Sequence, residues 1–441
     1  ALFYALIGSP FTRAVFFPEI KDLEIVEKMY KYMGLFVNSP TNLQFFSFRN
    51  PVTPRFDEFS KALIDKSETS ISGIGFREVT MPEEGVEKVK KIVGEANLMS
   101  LRWCSISPVN SSESLLKDRK VKKSLRYLAL DGSKGINFRK IAPRLSHIAV
   151  LSLENSDLEI ADVFKVINKA KLTELKMLNL GHNNASKPIE SSSLISSKLQ
   201  RIDISHARFS NNVMKNILEV ILTADYENGL KFYCDQYHAS DNEVDDALSN
   251  FQNISTNSLL EFSWRRNKID KNLLNFLKNN RNLEKLILKG NVYNSNDEKI
   301  VKEFSSICPS LKNLTHLYVC GSKKGELGAS FQNQLIDGLK KLPKLTYLDV
   351  SNNSISDEGI QSITTSLKEF SSLTHIILDN NKITSITPLK KLGEKAIQLY
   401  KNLYISWPIN DIKTLLQENT ITDSDVTDLI SLFNTASTAS N

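Results

Sequence analysis

One pattern recurs along this chain and leaves few folds open to it: L-x-x-L-x-L-x-x-N. Leu175, Leu178, Leu180 and Asn183 match it in full, as do Leu283, Leu286, Leu288 and Asn291. Leu345, Leu348, Val350 and Asn353 follow it, and so do Leu373, Ile376, Leu378 and Asn381. Leu259, Phe262, Trp264 and Asn267 match with aromatic replacements. Looser copies begin at Leu43, Ile71, Leu98, Leu125, Ile148, Leu199, Leu230 and Leu314; one carries Trp103 at its sixth place, another the polar Asp235. Successive starts from 43 to 373 lie 23 to 31 residues apart, which makes thirteen copies. Degenerate copies open at Tyr400, with Leu403 and Ile405, and at Phe11, with Ala14 and Phe16. Self-similarity at such a period is the mark of a stacked-repeat architecture. It also explains how 441 residues can share a core, since a single globular core rarely grows to that size.

The template has a direct physical reading. Its L-x-L centre is a short strand whose alternate side chains point to opposite faces, so the leucines enter the core and their neighbours face outward. The ninth-place Asn turns the chain, and its amide can pair backbone groups that a tight turn would strand inside. The remainder of each copy is a helix. After Asn353, Ser356 is placed as an N-cap with Asp357 and Glu358 in the first turn, ahead of Ile360, Ile363 and Leu367 at helical spacing. Ser295, Asp297 and Glu298 precede Ile300, Val301 and Phe304 in the same way. No copy can bury its apolar face alone, and stacking supplies the core. The expected fold is α/β: a leucine-rich-repeat horseshoe solenoid with parallel strands on its concave face and helices on its convex face.

These residues resemble the ribonuclease-inhibitor-type class of leucine-rich repeats from about Leu43 to Asn381. Within that class the irregular array, with Trp407, Pro408 and Asp411 ahead of a closing helix, is similar to the repeat region of the CARMIL family of actin capping-protein regulators. That likeness implies a cytosolic scaffold. The family's pleckstrin-like domain and capping-protein-binding tail have no counterpart in this sequence.

Solenoid ends need caps. Residues 1–42, rich in Phe and Tyr (Phe3 and Tyr4 among them), read as an N-terminal cap with a helix over Lys21 to Met33 and a stripe of Leu23, Val26 and Met29. Residues 43–399 hold the repeats. Residues 400–434 form a last degenerate repeat and a closing helix, for which Thr422 and Asp425 resemble a capping box. Residues 435–441 read as a disordered tail. No Pro/Gly-rich linker interrupts the chain, which favours one continuous array.

Composition narrows the class. A net charge of +6 over this length is too small to announce nucleic acid. Cys104, Cys234, Cys308 and Cys320 lie apart with no C-x-x-C pair, so neither a zinc site nor disulfide-rich caps are expected, and a reducing, cytoplasmic setting follows. Sequons at Asn110, Asn184, Asn253, Asn313 and Asn352 read as chance in an Asn- and Ser-rich chain. No apolar run reaches the roughly 20 residues that span a membrane. The run Lys117 to Lys123 is a solvated loop or, in the sharper reading, a contact for anionic lipid.

No P-loop, H-E-x-x-H, G-x-S-x-G or dinucleotide fingerprint is present. No catalytic residue, metal or cofactor is therefore expected. Ser72-Gly73-Ile74-Gly75 sits on strand places and implies close backbone packing. Register then selects the outward column. Arg265, Lys285, Lys289, His316, Tyr318, Tyr347, Asp349, His375 and Asp379 are the expected partner-binding residues, with Arg266 beside the basic ones. Apolar Phe45, Val150, Phe232, Ile287 and Ile377 share that face, and Arg49, Arg77 and Arg102 mark its early part. Tyr and Arg anchor interfaces, and an exposed apolar patch argues for a partner. The expected function is a non-catalytic protein-interaction scaffold, with a homodimer as one option and a cytoskeletal role implied by the resemblance. The alternatives are a GTPase activator of the Ran type, although the acidic tail usual there is missing, and a secreted recognition module.

Overall fold

The computed structural model describes residues 12–37, 43–50, 52–65, 70–190, 197–254, 256–290, 298–322, 327, 330–399 and 402–438. Phe3, Tyr4, Phe11, Asn291, Ser295, Asp297 and Tyr400 lie outside them. The chain forms two compact units, Ala1–Asn211 and Asn212–Asn441. The boundary falls inside the expected array, between the copies that open at Leu199 and Leu230.

In the first unit the strands are β1 Ala14–Phe16, β2 Phe45–Phe48, β3 Gly73–Arg77, β4 Ser100–Cys104, β5 Tyr127–Ala129, β6 Val150–Ser152, β7 Met177–Asn179, β8 Asn184–Ala185, β9 Arg201–Asp203 and β10 Arg208–Phe209. Eight of them run parallel in chain order, β1 to β7 and then β9, while β8 pairs only with β10. Third-place residues align from Phe45 through Gly73, Ser100, Tyr127, Val150 and Met177 to Arg201, as the template requires. Fourth-place residues, among them Phe46, Ile74, Leu101 and Leu178, are buried. Aromatic packing fills the early core: Phe48 lies 5.4 Å from Phe76, whose ring meets Trp103 edge-on at 5.7 Å.

The first copy is out of step with its template. Ala14 pairs with Phe45, which makes it a third-place residue, so Ala14 and Phe16 face outward and Val15 faces in. The helix that follows, Leu23–Val37, begins on Asp22, whose carboxylate accepts the Glu24 N–H at 2.8 Å. Val26 and Met29 are buried as expected. Leu23 is not; like Ile25, Tyr32 and Leu35 it is exposed.

In the second unit the strands are β11 Leu230–Tyr233, β12 Leu259–Ser263, β13 Lys285–Ile287, β14 His316–Tyr318, β15 Tyr347–Asp349, β16 His375–Ile377 and β17 Tyr404–Ile405, parallel and in chain order. Helices Asp241–Asn250, Lys271–Asn279, Glu298–Ile307, Asp357–Ser366 and Thr387–Gln398 connect them, with a short helix Ile336–Leu339. Their apolar faces enter the core through residues such as Leu273, Val301, Phe304, Ile360 and Ile363. Ser356 stands at its N-cap position, yet its hydroxyl donates to Glu358 and takes no backbone N–H. The capping box at the other end is real: Asp425 accepts the Thr422 N–H at 3.1 Å, and Thr422 accepts the Asp425 N–H at 3.3 Å. That last helix runs Asp423–Thr438, so residues 435–438 of the expected tail are helical.

Ninth-place asparagines tie neighbouring copies together. Asn353 is fully buried; its Nδ2 donates to the carbonyls of Val319 (2.8 Å) and Val350 (3.0 Å). Asn381 repeats this on Val350 and Leu378, and its Oδ1 accepts the N–H groups of Asn353 and Ile355. In the first unit Asn183 bonds Leu153, Leu180, Ser156 and Leu158 in the same manner. A strand, a buried turn asparagine and a returning helix, stacked in parallel, make this an α/β leucine-rich-repeat solenoid.

Candidate protein-recognition face

The register of the second unit sets which side chains stand on its strand face. Lys231, Glu261, Lys285, His316, Tyr347, His375 and Tyr404 occupy one column on successive strands. Two positions correct the sequence reading. Phe232 pairs with Phe262 and is fully buried, so it belongs to the core; Lys231 and Tyr233 take the outward places. A register shift between Leu230 and Lys231 moves the frame by one residue, and a one-residue slip exchanges the two faces of a strand. The polar Asp235 at a supposed core place was the available signal: Cys234, fully buried, is the true sixth-place residue. At the last copy, His375 pairs with Tyr404, which brings a tyrosine into the column that the frame opening at Tyr400 had not placed there.

The column is a row of rings. His316 and Tyr347 stack at 5.6 Å and Tyr347 and His375 at 6.0 Å, while the His375 and Tyr404 rings lie tilted at 5.5 Å. Tyr318, two places further along β14, lies 5.0 Å from Tyr347. The Lys285 amine sits over the Tyr318 ring at 5.6 Å, a cation–π contact that continues the row toward the basic side. Burial pushes the Tyr347 hydroxyl up to about 12, helped by Asp349, so it stays protonated as both donor and acceptor. Burial and then Lys285 hold His316 below the ordinary histidine value.

A second-place feature escaped the template, which assigns that place no role. Thr315, Thr346 and Thr374 each donate a hydroxyl hydrogen bond to a backbone carbonyl of the preceding copy: Glu284 at 3.0 Å, Thr315 at 3.0 Å and Thr346 at 3.1 Å. Thr315 Oγ1 also lies 2.9 Å from His316 Nδ1, and Thr374 Oγ1 lies 3.0 Å from His375 Nδ1.

The charged candidates divide. Lys289 is exposed. Lys285 is bound to Glu261 at 3.0 Å, and Glu261, only 6% exposed, also accepts the Tyr233 hydroxyl at 2.6 Å. Arg265 approaches Asp235 at 3.4 Å while its own N–H donates to the same carboxylate at 2.8 Å. The Arg266 guanidinium donates to Gln236 at 3.0 Å. The two acids serve turns. Asp349 is buried and accepts the Ser351 N–H (3.0 Å) and hydroxyl (2.7 Å). Asp379 accepts the Asn410 N–H and side-chain amide at 3.1 and 2.9 Å. Asp349 was expected to meet a partner; it is buried and its Oδ1 is already engaged because the chain must turn two residues later. Ile287, expected to be exposed, is buried between Ser263 and Tyr318 on the adjacent strands.

Other expected features find structural uses. A Cβ at Gly73 would come within 2.6 Å of the Ser100 Cβ and 2.8 Å of the Phe45 ring, so Gly73 is there for close packing. Phe45 covers that gap, and the Arg102 guanidinium lies over its ring at 5.4 Å. Arg49 and Arg77 both pair with Glu78, at 3.2 and 2.9 Å. The basic run forms a helix, Arg119–Ser124, capped by Asp118; Lys117 pairs with Glu113 at 3.6 Å and Lys120 with Glu95 at 3.3 Å. Asp411, part of the stretch that carried the likeness to capping-protein regulators, stands where the next ladder asparagine would be. Its carboxylate accepts the N–H groups of Asn381 and Ile383 at 3.1 and 3.2 Å. Among the described residues, no helix is long and apolar enough to cross a membrane, and no group of three or more His, Cys, Asp or Glu could hold a metal ion.

No family profile matches the chain. Protein NLRC5 of Ictalurus punctatus, a leucine-rich-repeat protein, is 30% identical over 191 residues, 43% of this chain and 11% of that protein. The chain thus spans about a tenth of its curated relative. The crystal structure of a TLR13–ssRNA13 complex aligns with 91% of this chain and 54% of that one at 14% identity, with a TM-score of 0.40. The NLRC5 match, over 191 residues, accords with the repeat architecture.

Proposed function

We propose that this chain binds a protein partner across the strand face of its second unit, with Tyr347 at the centre of the contact. The observation that carries the reading is the unbroken row His316, Tyr347, His375 and Tyr404 on successive strands. Rigid aromatic groups on a fixed sheet give contact area at little cost in side-chain entropy, which is why such groups dominate interface energetics. Lys289 at the basic margin, exposed and with no ion pair among the described residues, supplies a charge to steer association.

The test compares capture from cell extract by the wild-type chain, Tyr347→Ala, His375→Ala and a distant Lys122→Ala control. A protein retained by wild type and control and lost from both ring variants supports the reading. An unchanged set of retained proteins, with all four chains folded by circular dichroism, overturns it. The cytoskeletal role is checked separately by adding purified actin capping protein to the immobilised chain; absence of retention removes that role. A reducing, cytoplasmic setting accords with four buried cysteines, none of them in a disulfide. Glycans on Asn110 or Asn313 of the native protein would contradict it.

A further inference from the structure

Two histidines of the row each have a threonine hydroxyl against Nδ1. A threonine hydroxyl has one proton to give. Thr315 gives its proton to the Glu284 carbonyl and Thr374 to the Thr346 carbonyl, so neither can also donate to the histidine nitrogen beside it. The short contacts from Thr315 Oγ1 to His316 Nδ1 and from Thr374 Oγ1 to His375 Nδ1 are then hydrogen bonds in which the ring donates. That assignment puts the proton of each neutral imidazole on Nδ1 and leaves its Nε2 as a lone-pair acceptor, with no hydrogen bond to it among the described residues. The lowered basicity of His316 keeps that lone pair in place at neutral pH.

We infer that the strand face of the second unit seats an α-helix of the partner, whose side-chain donors seven residues apart meet Nε2 of His316 and Nε2 of His375. The inference rests on the protein-binding reading above and specifies its partner. Spacing decides between helix and strand. Consecutive copies lie about 4.8 Å apart across the sheet, so two copies span about 9.6 Å. Residues seven apart on a helix rise about 10.5 Å and lie on one face. An extended segment repeats its side chains every ~6.8 Å, out of step with these copies. The face of the central ring is unsuited to nucleic-acid bases, which stack on open aromatic surfaces: Tyr347 has His316 against one side and His375 against the other. The row therefore offers its polar edges. Charge favours basic donors at the His375 end, where Asp379 stands on the same strand face, and makes arginine the best side chain for that position.

Two measurements on the full chain test this. Long-range nitrogen–proton spectra of protein labelled at histidine should show His316 and His375 as Nδ1–H tautomers, with Thr374→Val returning His375 to the Nε2–H form. Wild-type rings already in the Nε2–H form would overturn the inference and leave the capture experiment as the separate test of partner binding. A lactam-bridged helical peptide of about 18 residues, with an asparagine for the His316 end and an arginine seven residues away for the His375 end, is then titrated in. It should move the Nε2 resonances of both histidines and bind at least tenfold tighter than the same helix with these two donors five apart. Equal affinity, no binding at millimolar peptide, or shifts of these resonances by oligo(dT) alone would overturn it.

Discussion

Lys285 shows how a side chain chosen for recognition can be committed to the fold. Its amine is half-exposed, but its carboxylate partner Glu261 is buried beside the Tyr233 hydroxyl. Removing the lysine leaves a buried carboxylate short of a partner, which costs roughly 1–3 kcal/mol. Lys285→Glu should therefore lower the chemical-denaturation midpoint, whereas Lys289→Glu, at an exposed amine, should leave it within experimental error. Charge reversal at Lys289 is for that reason the cleaner probe of binding, and Arg265, held against Asp235, is as poor a choice as Lys285. Gly73 obeys a different constraint. A methyl there collides with the Ser100 Cβ, which sits on the adjacent strand and cannot rotate away. Gly73→Ala should destabilise the first unit by about 1–3 kcal/mol, the usual cost of overpacking, read by thermal unfolding.

At the scale of the element, the decisive feature is the asparagine turn. Each asparagine closes its own loop and bonds the loop before it, so loss of one damages two copies. Asn381→Ala removes donors to Val350 and Leu378 and acceptors for Asn353 and Ile355. Hydrogen exchange should quicken in the turns of both β15 and β16 copies, with stability falling by at least about 2 kcal/mol. Asp411 closes the series with a carboxylate where an amide would serve. Burial raises its pKa above the usual value, so folding favours the protonated form and the charged form is penalised as pH rises through the folded pKa. Asp411→Asn should stabilise the protein at neutral pH. That gain should shrink as pH falls below the raised pKa and vanish below the ordinary carboxylate value of 3.8, where the wild-type side chain is protonated in both folded and unfolded chains. Denaturation midpoints of the two proteins at pH 7 and pH 3.5 measure it; a gain that is the same at both would contradict the argument.

For the molecule as a whole, each unit builds its core from residues one copy supplies and the next completes, so the described core side chains are shielded from solvent. The cysteines report this. Burial pushes the thiols of Cys104, Cys308 and Cys320 up to about 12, and the thiolate is the reactive species. Native protein treated with iodoacetamide at pH 8 should gain no mass within the time that denatured protein takes up four labels. Rapid labelling of native protein would mean that the copies around those residues open readily.

Much of this was legible in the chain itself. A leucine or its equivalent at the first, fourth and sixth places can only be buried by a neighbour like itself, so the period dictated parallel strands, inward leucines and the asparagine turn. His316, Tyr347 and His375 were placed on the outer face by alternation alone. What alternation could not settle was decided by contacts between copies. The bulge at Leu230 turned Phe232 inward; the turn requirement drew Asp349 out of solvent; the next copy brought Tyr404 beside His375; and a threonine hydroxyl, already spent on a carbonyl, set the proton on each histidine. A linear pattern specifies which face a residue takes. Which hydrogen bonds remain unclaimed on that face depends on atoms 28 to 31 residues distant, and only the stacked structure brings those within reach.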